Sequence, residues 1–271
     1  MESKKKFRSI IINKGGIYMR NISRKKLKKI LKKHELWLKG EGGKCADLSN
    51  VDLRGVDLSN TNLKYADLIY ANLSDVDLSN VNLSDANLRY ADLTNVDLSN
   101  ANLSNTDLRR ANLRRANLEY TDLRHADLRG ANLSCTDLGS ANLRCADLRY
   151  ANLKDIKTNI NTTGYKLACP EEGSFIGYKK AGGFIIKLLI LEDAKRSSAT
   201  SSKCRTNKVK VLDIENIKTR NKVKEINSDY DNNFIYRVGK IVYVDNFNEY
   251  RWEECTSGIH FFMNKEDAIN Y

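Results

Sequence analysis

Proline is nearly absent: Pro170 is the one proline in 271 residues. Every other position keeps its backbone N–H, so long stretches can enter hydrogen-bonded ladders without losing a donor. Histidine is scarce as well, limited to His34, His125 and His260. Six cysteines are present (45, 135, 145, 169, 204 and 255), but none form a CxxC pair or a regular framework. That argues against a zinc ribbon or a disulfide scaffold and fits a reduced, intracellular setting. No apolar run approaches the ~20 residues of a membrane span. The stretch Ser9–Ile12 is apolar but too short for a signal-peptide core, so secretion is not expected. Met19 is a candidate alternative start, which would make residues 1–18 an extension. No P-loop, GxSxG, HExxH or paired GxGxxG occurs, so the common nucleotide, hydrolase and metalloprotease sites are not expected.

What is there is a five-residue period. From Ala46 to Asp155 the chain is 22 consecutive pentads of the form Ala-(Asp/Asn)-Leu-x-x, and the third residue is Leu in every one. The first is always Ala, Val or Thr. Five residues turn a helix position by ~140° and flip a strand position to the opposite face. The leucines can share one interior only if the chain turns a corner in each pentad. Ala46-Asp47-Leu48 reads as a short in-out-in strand, and Ser49-Asn50 as a turn. Stacked corners make a solenoid whose neighbouring rungs satisfy one another's backbone.

On these residues the stretch resembles the pentapeptide-repeat family. The resemblance implies a mainly β fold, a right-handed four-sided β-helix with four pentads per coil, so that residues 20 apart stack. The 22 pentads then make five and a half coils, roughly 26 Å long at ~4.8 Å per rung. A solenoid of this kind needs covered ends.

Three segments follow from charge and pattern. Residues 1–45 hold 15 Lys+Arg against 3 acids, a net of +12 equal to that of the whole chain. Within them Ser23–Lys39 reads as an amphipathic helix, with Ser23 as N-cap and Leu27, Leu31, Leu38 and Trp37 covering the first coil. Its other face carries Lys25, Lys26, Lys28, Lys29, Lys32 and Lys33, a candidate surface for nucleic acid or another anionic partner. Residues 46–155 are the solenoid and 156–164 read as a linker. Residues 165–271 read as a small α+β domain, with strands over 184–191, 208–214, 234–244 and 258–263 and a last helix capped by Asn264. Polar connections are expected over 193–207 and 216–233. This segment, in AKRSSATSSKCRTNKVKVL, RWEECTSGIHFF and DAINY, resembles an uncharacterised domain that follows such repeats in phage, bacterial and giant-virus proteins. That likeness and the abundant Lys, Asn and Ile suit a viral or phage origin.

Stacking turns sequence columns into stripes. Arg89, Arg109, Arg129 and Arg149 should form one ladder, with Tyr70, Tyr90 and Tyr150 in the next column: a candidate partner-binding surface. Asp107, Asp127 and Asp147 in the same pentads compete for those guanidinium groups. The Ser59-Asn60, Ser79-Asn80 and Ser99-Asn100 corners make a flat uncharged face. Cys204, Cys255 and His260 are candidates for a small metal or nucleophilic site. Some members of the resembled family mimic DNA and bind topoisomerases by an acidic rod. Here residues 106–155 carry 9 basic against 7 acidic residues, which weakens that expectation. The expectation is a non-enzymatic scaffold for a protein partner, with no cofactor or metal. Nucleic-acid association through the basic segment is the alternative.

Overall fold

The computed structural model describes residues 10–12, 18–231 and 233–271. The expectation about residues 1–18 lies largely outside these. The chain divides at Thr163/Gly164 into two compact units. Among the described residues no helix is long and apolar enough to cross a membrane.

The first unit is a four-sided β-helix. Its rungs pair in parallel at steps of 20, as in Asp47–Asp67, Asp67–Asn87 and Asn87–Asp107. One pentad accounts for all five of its backbone donors. The N–H of Leu48 donates to Asp67 O at 2.8 Å, that of Asn50 to Ile69 O at 2.8 Å, and that of Asp67 to Ala46 O at 2.9 Å, all between coils. Val51 N–H closes the corner on Leu48 O at 3.3 Å. The remaining donor, at the fourth position, goes to Oδ1 of the Asp or Asn two residues earlier. This bond is made in all 22 pentads at 2.9–3.4 Å. The repeated Asp/Asn is therefore a backbone cap. The fifth residue of every pentad has φ between +55° and +68°, as the third residue of a type II turn requires.

Inside, 21 of the 22 leucines are fully buried, and Leu153 on the last rung is half-buried. Thr106, Thr121 and Thr136 are buried among them because each hydroxyl donates to a Leu carbonyl of the preceding coil at 2.8–2.9 Å.

Both ends differ from expectation. Strand β1 (Ile10–Ile12) pairs antiparallel with β2 (Tyr18–Asn21), and β2 lies parallel to β3 (Val51–Asp52) on the first coil. Helix α1 (Arg24–Leu38) follows, capped by Ser23, whose Oγ accepts from Lys26 N–H at 3.3 Å. Its buried residues are Leu27 and His34, whereas Leu31 and Leu38 are half-buried and Trp37 is 40% exposed. Of the expected covering residues Leu27 is buried, and His34 joins it: its Nδ1 accepts the orphan N–H of Ala46 at 3.1 Å. At the other end residues 156–163 are not a linker. Lys157 and Thr163 pair with Asp137 and Asn142, and Thr162 Oγ1 donates to Leu138 O at 2.8 Å. The ladder bonds are backbone bonds, so the coil continues after the leucines stop.

The second unit holds a seven-stranded antiparallel sheet. Its strands are β4 (Phe175–Ala181), β5 (Phe184–Ile190), β6 (Arg196–Ser198), β7 (Lys203–Thr206), β8 (Lys208–Asn216), β11 (Ile241–Tyr243) and β12 (Ile259–Phe262), in the order β11-β8-β5-β4-β12-β7-β6. A hairpin of β9 (Glu225–Asn227) and β10 (Ile235–Arg237) and helix α2 (Lys265–Asn270, capped by Asn264) complete it. Strands β6 and β7 lie in the expected polar connection over 193–207, and β9 in that over 216–233. All four residues of β7 are buried. Arg205 is held there by the carbonyls of Asn248, Tyr250 and Ser257 at 2.8–3.3 Å. Such buried polar satisfaction makes an interior strand look like a loop in composition.

Candidate functional site

On the side of the solenoid that starts at Ala46, the fourth positions stack as Ser49, Ile69, Arg89, Arg109, Arg129 and Arg149. The fifth stack as Asn50, Tyr70, Tyr90, Arg110, Gly130 and Tyr150. Arg109 grips Asp107 through Nε at 2.9 Å and Nη2 at 2.6 Å, then reaches Asp127 on the next coil at 3.4 Å. Arg129 repeats this with Asp127 and, at 3.5 Å, with Asp147, and Arg149 closes on Asp147. Burial works to raise the Asp127 pKa, but the Arg129 hydrogen bonds and the two guanidinium charges hold it below the usual carboxylate range. Three of the four expected arginines are thus saturated from within the chain.

Arg54 and Arg124 do the same with Asp52 and Asp122. The residue two positions earlier decides the outcome. In Asp-Leu-Arg the carboxylate accepts both the backbone N–H and the guanidinium, whereas Asn-Leu-Arg leaves the guanidinium without a carboxylate. Arg89, Arg114 and Arg144 follow Asn, and among the described residues none of them forms an ion pair. This rule is readable in the sequence and separates Arg89 from the other three arginines of the ladder.

The tyrosines also sort by neighbour. Tyr70 and Tyr90 stack with ring centroids 4.8 Å apart and 12° between planes. Arg110 extends the stack over Tyr90 at 5.8 Å. Tyr150, two rungs beyond Arg110 and past Gly130, lies outside this stack and is 71% exposed. The corner therefore presents Tyr70, Tyr90 and Arg110, flanked by Arg89. All four of the third side's Ser-Asn and Glu-Tyr corners, from Ser59 to Tyr120, keep the same capped backbone, so that face is patterned by the fold alone.

The six lysines of α1 are all exposed. In the second unit Cys204, Cys255 and His260 do not form one site. Cys204 stands opposite Phe261 and His260 opposite Arg205 in the β7–β12 pair, so Cys204 and His260 face opposite sides of the sheet. Cys204 is fully buried, while Cys255 is exposed beside Lys203 Nζ at 3.5 Å. Among the described residues no group of three His, Cys, Asp or Glu side chains can hold a metal ion.

Comparison with known proteins bears on both units. Residues 44–80, 82–119, 91–130 and 121–157 match the model of pentapeptide repeats in eight copies. A pentapeptide-repeat protein from the cyanobacterium Cyanothece 51142 (Rfr23) is 32% identical over 97% of its own length and 50% of this chain, with a TM-score of 0.33. The chain belongs to the pentapeptide-repeat family. Another pentapeptide-repeat protein, from the thylakoid lumen of Arabidopsis thaliana, is 33% identical, covering 38% of this chain and 72% of its own, with a TM-score of 0.37. The plasmid-mediated fluoroquinolone resistance protein QnrB1 is 19% identical, covering 42% of this chain and 84% of its own, with a TM-score of 0.25. Residues 165–268 match a family of unknown function, DUF5758. No curated protein matches the chain. Pentapeptide-repeat proteins are in general non-catalytic scaffolds.

Proposed function

We propose that this pentapeptide-repeat protein is an intracellular, non-enzymatic scaffold that docks a protein partner on the corner formed by Tyr70, Tyr90 and Arg110, with Arg89 beside it. The observation that carries the reading is the Tyr70–Tyr90 ring stack that Arg110 extends. Tyr70 and Tyr90 have φ of +57° and +58°, the left-handed backbone that the fifth residue of every pentad adopts and that costs a large L-residue ~1–2 kcal/mol. The stack gives a rigid aromatic and cationic patch of the kind that anchors protein interfaces. The salt-bridged ladder beside it supplies a stiff, near-neutral support.

The test compares capture of binding proteins by the full chain and by the triple substitution Tyr70→Asn, Tyr90→Asn, Arg110→Asn. Loss of the captured protein with an unchanged or raised Tm is expected. Undiminished capture by the substituted chain would remove this corner from the reading.

A second reading rests on the exposed lysines of α1 and the +12 charge of residues 1–45. It makes the segment an anchor on nucleic acid, with duplex affinity that falls steeply with salt. Replacing Lys25, Lys26, Lys28, Lys29, Lys32 and Lys33 by Gln would abolish that binding; salt-insensitive binding would exclude it.

A further inference from the structure

Strands β4 and β12 are neighbours in the sheet but share one paired position, Phe262 with Tyr178. Beyond it they separate. A cavity of about 580 Å³ occupies the gap, with Lys179 on the β4 side and Gly258, Ile259 and His260 on the β12 side. Phe234, Tyr236, Val244 and Phe262 give it largely apolar walls.

Two lysines with buried stems line this cavity. Lys203 is 7% exposed, and its ammonium is held by the Tyr271 hydroxyl at 2.7 Å and Cys255 Sγ at 3.5 Å. Lys179 is 9% exposed, yet among the described residues its Nζ makes no hydrogen bond or ion pair. Its nearest aromatic face is Tyr236, 5.9 Å from Nζ to the ring centroid. Asp229, which also lines the cavity, has Oδ1 engaged by the Gly182 N–H at 2.7 Å. Burial is the main influence lowering the Lys179 pKa. Asp229 opposes it and Lys203 adds to it as a like charge. The Lys179 stem is buried while its ammonium opens on the cavity with no protein partner among the described residues, which favours an anion there. A concave, mostly apolar site with a few convergent polar groups is the usual form of a small-molecule pocket. Strands β4, β7, β10 and β12 and the loops that carry Ser228, Asn246 and Cys255 together form that concavity.

We propose that this cavity binds a small organic anion, its carboxylate or phosphate meeting the Lys179 ammonium with Lys203 adding field, and its planar body lying against Tyr236 and Phe262. The site is independent of the solenoid corner and of the scaffold reading. Neither family match assigns a ligand to it.

The test uses the full chain and four probes at up to 10 mM: benzoate, phenyl phosphate, inorganic phosphate and neutral benzamide. Binding is read by isothermal titration and by Tm. Either aromatic anion should bind saturably and raise Tm, and the stronger of the two reports which head group the site prefers. Inorganic phosphate and benzamide should each bind at least tenfold more weakly. Lys179→Met should weaken the aromatic anion at least tenfold and, without ligand, melt no lower than the parent, because it removes the unpartnered charge. Binding of neither aromatic anion overturns the proposal. So does equal binding of benzamide, undiminished binding by Lys179→Met, or a Lys179→Met chain that melts lower without ligand.

Discussion

Asp97 offers a direct measure of the capping role of the second pentad position. Its Oδ1 accepts the Ser99 N–H at 2.9 Å and Asn117 Nδ2 at 3.2 Å from the coil above. On the coil below it is paired with Asp77, another carboxylate, about one rung (~4.8 Å) away. Asp97→Ala removes both bonds. By analogy with helix N-caps, the orphaned N–H costs ~1 kcal/mol, and the lost side-chain bond ~0.5–1.5 kcal/mol. The total is about 2 kcal/mol, or a Tm lower by ~4–8 °C at ~2–4 °C per kcal/mol in a chain of this size. Asp97→Asn should act in the opposite direction. It keeps Oδ1, relieves the repulsion with Asp77, and places an amide where it can donate downwards, as Asn117 does to Asp97. At an effective dielectric of ~20–80, two charges ~4.8 Å apart repel by ~1–3.5 kcal/mol before screening. Surface screening reduces this to a gain of ~0.2–1 kcal/mol, which should fade in 1 M salt. Urea unfolding of the two variants at low and high salt measures both effects. An Asp97→Ala chain within 0.3 kcal/mol of the parent, or an Asp97→Asn chain as unstable as it, would refute the capping account.

Leu108→Ala, at a fully buried interior position, should destabilise by ~3–5 kcal/mol, and Leu153→Ala on the last rung by ~1 kcal/mol; chemical denaturation compares them. Gly43 has φ of +85°, and a Cβ there would lie 2.1 Å from Lys33 O, so Gly43→Ala should detach α1 from the first coil, read as faster amide exchange at Ala46. His260 donates through Nε2 to Glu254 O at 2.8 Å, and burial with the Lys203 charge lowers its pKa to about 4. The folded form thus binds fewer protons than the unfolded one, whose pKa is ~6.5. Its contribution is complete above pH ~6.5 and is lost as pH falls towards 4, by ~3 kcal/mol at most. The difference in unfolding free energy between parent and His260→Gln should shrink over that window, and a difference that stays constant with pH contradicts the shift.

The solenoid was legible because its period is geometric. Leu at the third position of every pentad specifies an interior, and Ser-Asn or Arg-Gly at the following two specifies a corner. The β-helix also stacks with the 20-residue step that the family resemblance implies and that the Arg and Ser-Asn columns support. Its ends were less legible, since His34 caps by one nitrogen and residues 156–163 pair through backbone atoms that leave no side-chain signature. The arginine ladder is legible as a column together with the carboxylates that neutralise it, since an Asp stands two residues before Arg109, Arg129 and Arg149, whereas Arg89 follows Asn87. In the second unit β6 and β7 are built from Arg, Ser, Lys and Thr, whose burial depends on carbonyls more than 40 residues away in sequence. The cavity depends on where two strands stop pairing, and no local pattern encodes that.

From the second coil on, each coil pairs with the next through the same ladder on all four sides. Removing one pentad from the middle would leave every leucine inside and every cap intact. It would nevertheless rotate everything beyond the cut by a quarter turn, so that loss of residues 96–100 parts Tyr90 from Arg110 and loss of residues 116–120 parts Arg109 from Asp127. Loss of four pentads shortens the unit and restores the phase. Length change in steps of five is thus tolerated by the interior, while surface identity survives only in steps of twenty, so insertions and deletions could rewrite this protein's recognition with no substitution at all.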